Sequence, residues 1–475
     1  MDTQEIIDRL DTLNTLSREL EIGEDDRKKM AQQVTTYTDG FINVLQEARC
    51  FTDKEASGLS ISGKRHTVEE LLSLYQEEVI ETGIIAPSGK HFGYIPAGGI
   101  YAAALADFLA AVTNPYAGVH YANPGAATIE NEVVNWLKKV FGFPENSVGT
   151  LTSGGSVSNL VAFTAARDKY KIKNGIIPES VVYLTEQVHH SAQKALRIIG
   201  LEDVVIRYIP VDDHFKMKPY DLDAQVKRDI ADGLNPFLVV GTAGTTDTGA
   251  VDPLNAIADV AEKYDLWYHV DAAYGGFFIL TSKKDLFRGI ERADSVIVDP
   301  HKSMFIPYGL AGVLIKDKHA AFHSNSISGN YMQDAAGEEM AKSPANLSPE
   351  LTRHFRGLRL WWPLQFHGVE PFSACLEEKL LLVKYFRLRL AALGFELGPE
   401  PDLSVSYFRY PFESDAEEKN KQLMAEIHKN GDTYFSSTII EGRFVIRIAV
   451  LSFRSKRETV DRAVAMIERC LALVK

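Results

Sequence analysis

Short runs of β-branched and aromatic residues alternate with helical stretches from about residue 100 to residue 330, and this alternation restricts the fold more than any other feature of the sequence. Such an order is typical of an α/β fold with a doubly wound, mainly parallel sheet. Ligands of these sheets bind beyond the carboxyl ends of the strands. The predicted strands are 181–184, 204–206, 237–240, 267–270 and 295–298.

The chain has 475 residues, which is too long for one compact core, and its pattern divides into three parts. Residues 1–95 are predicted to form a helical N-terminal segment that packs on the rest of the protein or on a partner subunit, and Thr67 begins a capping-box pattern within it. Residues 96–365 are predicted to form the large domain. Residues 366–475 are predicted to form a small C-terminal α+β domain.

Two stretches near the domain boundary carry further expectations. An amphipathic pattern from about residue 358 to residue 393 predicts one long helix. The polar stretch 324–353 has little periodicity and predicts a long loop, and a loop of this length is more often functional than idle.

Charge and cysteine content argue against several kinds of partner. The formal net charge is −13, whereas nucleic acid and anionic membranes require a basic face, so neither is expected as a partner. The three cysteines are few and widely spaced, so we expect no disulfide framework and no metal site, and a cytoplasmic setting fits best. The sequence starts without the pattern of a signal peptide, and its longest apolar run, 99–112, is too short to span a bilayer.

Small residues at 152–156 precede a helical pattern at 159–170. Backbone amides at the start of a helix can close on an anion, so this segment is a candidate phosphate cradle. An ordinary glycine-rich turn would give the same pattern.

Three ionisable side chains follow predicted strands, where ligands of such a sheet bind. Asp271 would need a cationic partner if it is buried, although it could instead cap a helix. Lys302, if partly desolvated, would have a depressed pKa and could attack an aldehyde, although a surface lysine in a turn is the alternative. His189 could stack on a flat ring or transfer a proton, or it could be an ordinary packed or exposed histidine.

These elements occur in the order phosphate loop, histidine, acid and lysine. An anion cradle, a stacking ring, an acid for a ring nitrogen and a lysine for an imine are together what a phosphorylated pyridine aldehyde requires. The sequence therefore predicts an enzyme that uses pyridoxal 5'-phosphate.

Several motifs resemble those of the group II pyridoxal-phosphate decarboxylases, which include aromatic-amino-acid, histidine, glutamate and cysteine-sulfinate decarboxylases. The resemblance implies a fold-type I enzyme that decarboxylates an L-amino acid, aromatic or acidic, to the amine and CO2. The motifs are Tyr94-Ile-Pro96, Asn123-Pro with Glu130, the loop 153–158, His189, Gly244-Thr-Thr246, His269-Val-Asp271-Ala-Ala273, Pro300-His-Lys302, and Arg353-His-Phe-Arg356 with Leu360-Trp.

The resemblance also implies roles for matching positions. Lys302 would form the Schiff base with the cofactor, Asp271 would pair with the pyridine nitrogen, and His189 would stack on the ring and is a candidate for proton transfer. Thr246 would lie near the ring, and Ala273 would pack against its other face. The positions implied to hold the phosphate are Gly155, Ser156, Ser158 and His301.

A loop tyrosine of the aromatic-amino-acid enzymes, thought to reprotonate the substrate carbon, is matched by Tyr331, although an ordinary loop tyrosine is the alternative. The family is homodimeric, with each site built from both chains. The resemblance implies a substrate pocket that includes Tyr94, Pro96, Ala97, His120 and Tyr121.

The sequence departs from the family pattern at two positions. Asp299 stands where the best-known members carry an asparagine beside the phosphate, and we expect its carboxylate to turn away from that dianion. Ala97 stands where the aromatic-amino-acid enzymes carry a pocket threonine, so the pocket need not suit an indole or a catechol. An aldehyde-forming oxidative decarboxylation, a carbon–carbon lyase activity and a catalytically inactive dimeric relative remain as alternatives.

Overall fold

The computed structural model describes residues 1–61, 63–326 and 342–475, and the chain forms two units, Met1–Ile85 and Ala86–Lys475. Tyr331 lies outside the described residues. Across the described ranges, no helix combines the length and the apolar character that crossing a lipid bilayer requires. The three-part division drawn from the sequence stays a prediction.

The unit Met1–Ile85 is mostly helical. The capping box predicted at Thr67 is confirmed, because its side chain accepts a hydrogen bond from the backbone N–H of Glu70 and the Glu70 side chain accepts one in return. The first helix has an apolar stripe, yet none of its residues is buried. The elements are α1 (Thr3–Ser17), α2 (Glu24–Val44), β1 (Phe51–Thr52), α3 (Val68–Tyr75) and β2 (Gly83–Ile84), with β1 and β2 antiparallel.

Seven strands form the large sheet of the second unit. They are β3 (Val148–Thr152), β4 (Ser180–Leu184), β5 (Val205–Tyr208), β6 (Asn235–Thr242), β7 (Trp267–Asp271), β8 (Ser295–Val298) and β9 (Ala311–Ile315). Their order is β3-β9-β8-β7-β6-β4-β5, and β9 is antiparallel to both of its neighbours while the other pairs are parallel. The predicted mainly parallel α/β sheet is confirmed, although β3 and β9 were not among the predicted strands.

Helices cover both faces of this sheet, as a doubly wound fold requires. In β4, Val181 and Tyr183 belong to one hydrophobic core, whereas Val182 and Leu184 belong to another, because successive side chains of a strand point to opposite faces. The helices of this part are α4 (Tyr101–Thr113), α5 (Pro124–Phe141), α6 (Gly155–Lys169), α7 (Ser191–Ile198), α8 (Pro219–Ala231), α9 (Leu254–Lys263), α10 (Pro300–Ser303) and α11 (Lys318–Asn325).

The C-terminal part has a smaller antiparallel sheet of four strands in the order β10-β11-β13-β12. The prediction of one long helix over 358–393 is wrong, because Gly368 has a φ of +72° and interrupts the helical path. The elements are α12 (Gly357–His367), α13 (Glu370–Ala392), β10 (Glu396–Leu397), β11 (Val405–Arg409), α14 (Ala416–Asn430), β12 (Ser436–Ile440), β13 (Arg443–Ala449) and α15 (Arg457–Val474).

The antiparallel strand β9 lies between two strands that lead into functional segments. In its ladder with β3, Thr152 pairs with Ala311, and in its ladder with β8, Val298 pairs with Gly312. The carboxyl ends of β3 and β8 therefore lie on the two sides of the start of β9. The loop after β3 and the segment after β8 consequently meet at one edge of the sheet.

Candidate active site

A cavity of about 320 Å3 lies at the carboxyl ends of the parallel strands. This volume is within the range of small-molecule sites. Of the positions predicted to bind the cofactor, those that line the cavity are Gly155, Ser156, His189, Thr246, Asp271, Ala273, His301 and Lys302. Ser158 does not line it, because its hydroxyl lies inside the protein, 2.7 Å from the Thr152 hydroxyl.

The phosphate end of the predicted site is a turn in which Gly154 and Gly155 have no side chains, and α6 starts there. A Cβ added at Gly154 would lie 3.9 Å from the Cε1 atom of His301, and one added at Gly155 would lie 3.1 Å from both carboxylate oxygens of Asp299. The first turn of a helix leaves backbone N–H groups without intrahelical acceptors and carries partial positive charge. This end of the cavity can therefore receive an anion at close range.

Asp299 faces the cavity, so the expectation that it turns away is wrong. Its Oδ2 atom lies 2.9 Å from Lys302 Nζ and 3.7 Å from His301 Nε2, while the residue is only 2% exposed. Its Oδ1 atom is buried and has no hydrogen-bond partner among the described residues. The ammonium group of Lys302, three positions along the chain, holds the carboxylate inward by direct charge attraction.

The same contact overturns the depressed pKa expected for Lys302. Desolvation lowers the pKa of the lysine, but the charge and the hydrogen bond of Asp299, with a further contribution from Asp271, outweigh that effect, so the pKa is raised. In the cofactor-free chain Lys302 is therefore a protonated amine held by a carboxylate. It must lose a proton before it can attack an aldehyde.

Asp271 ends β7, is buried and lines the cavity. Its Oδ1 atom accepts a hydrogen bond of 3.1 Å from the Ala273 N–H, and its Oδ2 atom accepts one of 3.4 Å from the Asn159 amide. Desolvation raises the pKa of this carboxyl, while the positive charge of Lys302 opposes the rise. A buried carboxylate in this position is stabilised by a cationic ligand group, such as a protonated ring nitrogen.

His189 follows β4 and also lines the cavity. Its Nδ1 atom lies 2.8 Å from the Ser191 hydroxyl and accepts a hydrogen bond of 3.2 Å from the Ser191 backbone N–H. Desolvation, followed by repulsion from His190 and Lys302, lowers the pKa of His189 to about 4. The ring is therefore neutral near pH 7.

The residues of this site that the sequence did not single out include Ser191, Tyr308 and Asn159. Ser191 and Tyr308 line the cavity, and Asn159 braces Asp271 from inside α6. Burial raises the pKa of Tyr308, although the charge of Lys302 opposes the rise. A signal existed for Asn159, because it is a polar residue on the buried side of a helix where an apolar one is expected.

The predicted substrate-pocket residues do not line the cavity of the single chain. Pro96 and Ala97 are buried, His120 is half-buried, and Tyr94 and Tyr121 are 58% and 61% exposed. The loop that carries Tyr94 is tied to the site region by an arginine of β13. That arginine, Arg447, donates hydrogen bonds to the carbonyl oxygens of Tyr94 at 2.7 Å and Thr246 at 2.8 Å.

Two residues of the sequence motifs meet behind the site. Arg353 Nη2 lies 2.7 Å from Glu130 Oε2, and both side chains are fully buried. Arg353 also donates hydrogen bonds to Thr150 Oγ1 at 3.0 Å and to the carbonyl oxygen of Leu151 at 2.6 Å, in β3. The pair therefore braces the strand that leads into the 153–156 loop.

The cavity residues fit pyridoxal phosphate by their chemistry. The glycine turn and the helix start suit a phosphate, the buried Asp271 suits a pyridinium nitrogen, and Lys302 is an amine within the same cavity. The negative charge of Asp299 opposes binding of a dianion, and the positive charge of the neighbouring Lys302 ammonium group offsets it.

Comparison with known proteins agrees with this chemistry. The pyridoxal-dependent decarboxylase conserved domain matches residues 56–411. An aromatic-L-amino-acid decarboxylase of Bacillus atrophaeus is 35% identical over 379 residues, which are 78% of this chain and 78% of that protein. A phenylacetaldehyde synthase of Petunia hybrida is 29% identical over 408 residues, which are 81% of this chain and 80% of that protein.

The fold is shared with a solved structure of Oryza sativa TDC with PLP and tryptamine, at a TM-score of 0.88 and 24% identity, covering 95% of this chain and 99% of that one. The domain match covers most of this chain and the Bacillus relative is similar over more than two thirds of it. This chain therefore belongs to the pyridoxal-dependent decarboxylase family and is a pyridoxal-phosphate-dependent carboxy-lyase.

Proposed function

We propose that this chain decarboxylates an aromatic L-amino acid to the corresponding amine and CO2. The observation that carries the proposal is the meeting of Lys302, Asp271 and His189 around one cavity, with a turn and helix start suited to a phosphate. The similarity to a protein named aromatic-L-amino-acid decarboxylase supports an aromatic substrate over an acidic one.

When bound, pyridoxal phosphate supplies an electron sink for the pair of electrons that CO2 leaves behind. Lys302 would hold the cofactor covalently through its amine, and Asp271 would keep the ring nitrogen protonated. His189 would lie over the ring. The N–H groups at the start of α6, with Ser156 and His301, would hold the phosphate.

The amine of Lys302 must be neutral to react, and Asp299 is the nearest group that can take its proton, at 2.9 Å. Transfer of that proton would also reduce the negative charge beside the phosphate. Thr246 would lie near the ring, held through its carbonyl by Arg447, and Ala273 would pack on the other ring face. Tyr331 is proposed as the donor that protonates the substrate carbon after CO2 has left.

We also propose that the working enzyme is a cytoplasmic homodimer. The apolar residues of α1 are exposed, and α4 exposes a second apolar row. Contiguous exposed apolar faces of this kind are typical of protein–protein interfaces. The exposed members of the row on α4 are Tyr101, Leu105, Phe108, Leu109 and Val112. The molar mass from light scattering on protein eluting from a size-exclusion column tests the dimer. A monomer mass at the concentration used in activity assays would contradict it.

The test of the activity is a CO2-release screen over the amino acids with the cofactor-loaded protein. Tyrosine, tryptophan and phenylalanine are expected to react, whereas glutamate, aspartate, histidine and diaminobutyrate are not. Release from an acidic amino acid alone would redirect the substrate assignment. A protein that takes up the cofactor but releases CO2 from none of them would contradict the decarboxylase proposal.

An aldehyde-forming activity is the second candidate, and the similarity to a phenylacetaldehyde synthase favours it. That reaction consumes dioxygen and water and gives aldehyde, CO2, ammonia and hydrogen peroxide, whereas plain decarboxylation gives amine and CO2. Peroxide and ammonia in amounts equal to CO2 would establish the second candidate. Amine in an amount equal to CO2 would exclude it.

A further inference from the structure

A continuous row of hydrogen bonds runs behind the cavity, from the core of the sheet to His189. Its first links are in β7 and β8. Trp267 Nε1 lies 2.8 Å from Ser295 Oγ, Ser295 Oγ lies 2.8 Å from His269 Nδ1, and His269 Nε2 lies 2.9 Å from Asn159 Oδ1. The row then continues from Asn159 Nδ2 to Ser191 Oγ at 3.2 Å and from Ser191 Oγ to His189 Nδ1 at 2.8 Å.

The direction of donation is fixed at the buried end. The Trp267 indole can only donate, so the Ser295 hydroxyl accepts from it and uses its own hydrogen elsewhere. The side-chain oxygen of Asn159 can only accept, so His269 must carry a proton on Nε2. Because burial lowers the pKa of His269 to about 3, the ring is neutral, and its Nδ1 atom accepts from Ser295.

The direction is fixed independently at the cavity end. The backbone N–H of Ser191 can only donate, and it points at His189 Nδ1 from 3.2 Å. That nitrogen is therefore unprotonated, and the Ser191 hydroxyl also donates to it. The hydroxyl in turn accepts from the Asn159 amide, whose second hydrogen is directed at Asp271 Oδ2.

We propose that Asn159, Ser191 and His269 are positioning residues that hold His189 in a single form, neutral and protonated on Nε2, and that the same amide of Asn159 orients Asp271. Protonating His189 would place a hydrogen on Nδ1 against two donors that already point at it. His189 therefore presents an N–H donor to the cavity and has no additional proton to deliver. The group that protonates the substrate carbon must then be a different one.

The conclusion that His189 does not protonate the substrate carbon rests on the proposed function. The protonation form of the His189 ring does not. The measurement is accordingly made on cofactor-free protein, by nitrogen NMR of protein labelled with 15N-histidine. The chain has 13 histidines, and the His189 and His269 signals are assigned by their loss in His189→Gln and His269→Gln. In the wild-type protein both rings are expected to show a protonated Nε2 and an unprotonated Nδ1 at neutral pH.

Two variants interrupt the row near its end. Ser191→Ala removes one of the two donors to Nδ1, and Asn159→Asp gives the Ser191 hydroxyl a carboxylate to donate to instead of His189. Both weaken the hold on Nδ1 but keep the backbone N–H of residue 191, so a minor population of His189 protonated on Nδ1 is expected beside the main form, while Ser191→Ala leaves the His269 signals in place. His190→Gln is the matched control, since its ring lies 4.1 Å from that of His189 but outside the row, and it is expected to leave His189 protonated on Nε2 and unprotonated on Nδ1.

A wild-type His189 protonated on Nδ1, or His189 signals that stay at their wild-type positions in both variants, would overturn the proposal. Should Asn159→Asp fail to fold, the wild-type spectrum and Ser191→Ala still decide the matter. Because no turnover is measured, a protein with the expected ring forms but without decarboxylase activity would contradict the proposed function and not this inference.

Discussion

The ammonium group of Lys302 lies 2.9 Å from a carboxylate oxygen of Asp299, and the same carboxylate lies against Gly155 at the start of α6. One buried acid thus contacts the amine that would react with the cofactor aldehyde and borders the turn that would receive its phosphate. The two contacts act in opposite directions. The ion pair keeps Lys302 protonated, while the negative charge opposes the arrival of a second anion.

Asp299→Asn is expected to strengthen cofactor binding. The substitution removes a buried like charge from the phosphate end and lowers the pKa of Lys302, so that the free amine is available at lower pH. Two unit charges about 4 Å apart interact by several kcal/mol at an effective dielectric constant of about 20, so a gain of about tenfold or more in affinity is expected. Titration of the cofactor absorbance over a range of pH measures it.

Pyridoxal, which lacks the phosphate, is the control ligand for this variant. Its affinity is expected to gain less than that of pyridoxal phosphate, because only the effect on the amine remains. Equal gains for the two ligands would show that the carboxylate does not act on the phosphate.

Lys302→Ala is expected to abolish both the yellow colour of the loaded protein and turnover, because no imine with the cofactor can form without the amine. Absorbance spectra after dialysis against pyridoxal phosphate measure the first effect. Lys284→Ala, at an exposed lysine outside the cavity lining, is the control and is expected to retain both. A Lys302→Ala protein that keeps both the yellow absorbance and turnover would refute the assignment of Lys302 as the residue that binds the cofactor.

Tyr331→Phe is expected to shift the product from amine toward aldehyde, because the substrate carbon loses its proposed proton donor. The matched control is Tyr308→Phe, which removes a hydroxyl from a tyrosine that lines the cavity. The control is expected to keep the wild-type product ratio. Quantifying amine, aldehyde and peroxide in both variants decides the question, and an unchanged amine yield in Tyr331→Phe would count against its role.

Arg353→Ala is expected to destabilise the protein by about 3–5 kcal/mol, because it leaves the fully buried Glu130 carboxylate without its partner. The urea midpoint of the cofactor-free protein measures the loss. Arg288→Ala, at an ion pair with Asp285 that is mostly exposed, is expected to leave the midpoint nearly unchanged. Similar midpoints for the two variants would mean that the buried pair does not hold the strand in place.

His269 is expected to make the fold sensitive to acid. Burial lowers its pKa to about 3 from the usual 6.5, so below pH 6.5 the unfolded chain takes up a proton that the folded chain does not take up until about pH 3. The free energy of unfolding therefore falls with falling pH in this window, by about 1.4 kcal/mol per pH unit from this group. His269→Gln should remove that part of the slope in urea unfolding measured between pH 7 and pH 5. His319→Gln, at an exposed position, is the control and should retain the slope.

The sequence predicted the elements whose pattern is local. Strand β8 was predicted at its observed bounds, since Ser295–Val298 is a short β-branched run followed by a turn. Strand β9 was missed because it begins Ala-Gly and is too short for a periodic signal, although two ladders hold it. The orientation of Asp299 was predicted wrongly because it depends on Lys302 and on Gly155, which follows a different strand. Spacing along the chain does not reveal that Gly155 lies beside Asp299.

The site was predictable to a similar extent. Lys302, Asp271 and His189 lie at or after strand ends and were identified by residue type, position and resemblance to the family, and the structure brings all three to one cavity. Ser158 was included because it lies in the glycine-rich motif, but helical rotation turns it toward Thr152. Asn159 was missed because its function arises from partners on two other elements, His269 and Asp271 on β7 and Ser191 at the start of α7.

Strand β9 sets the distance between the two strands that lead into the site. Since β3 and β8 both pair with it, the strands that lead into the turn and into the lysine segment are held two strand spacings apart, about 10 Å, and the two segments approach each other beyond the strand ends. That length is set by backbone hydrogen bonds and does not depend on the side chains that line the cavity. Substitutions in the turn can alter which anion is accepted, whereas the spacing of the two strand ends changes only if the pairing of β9 changes.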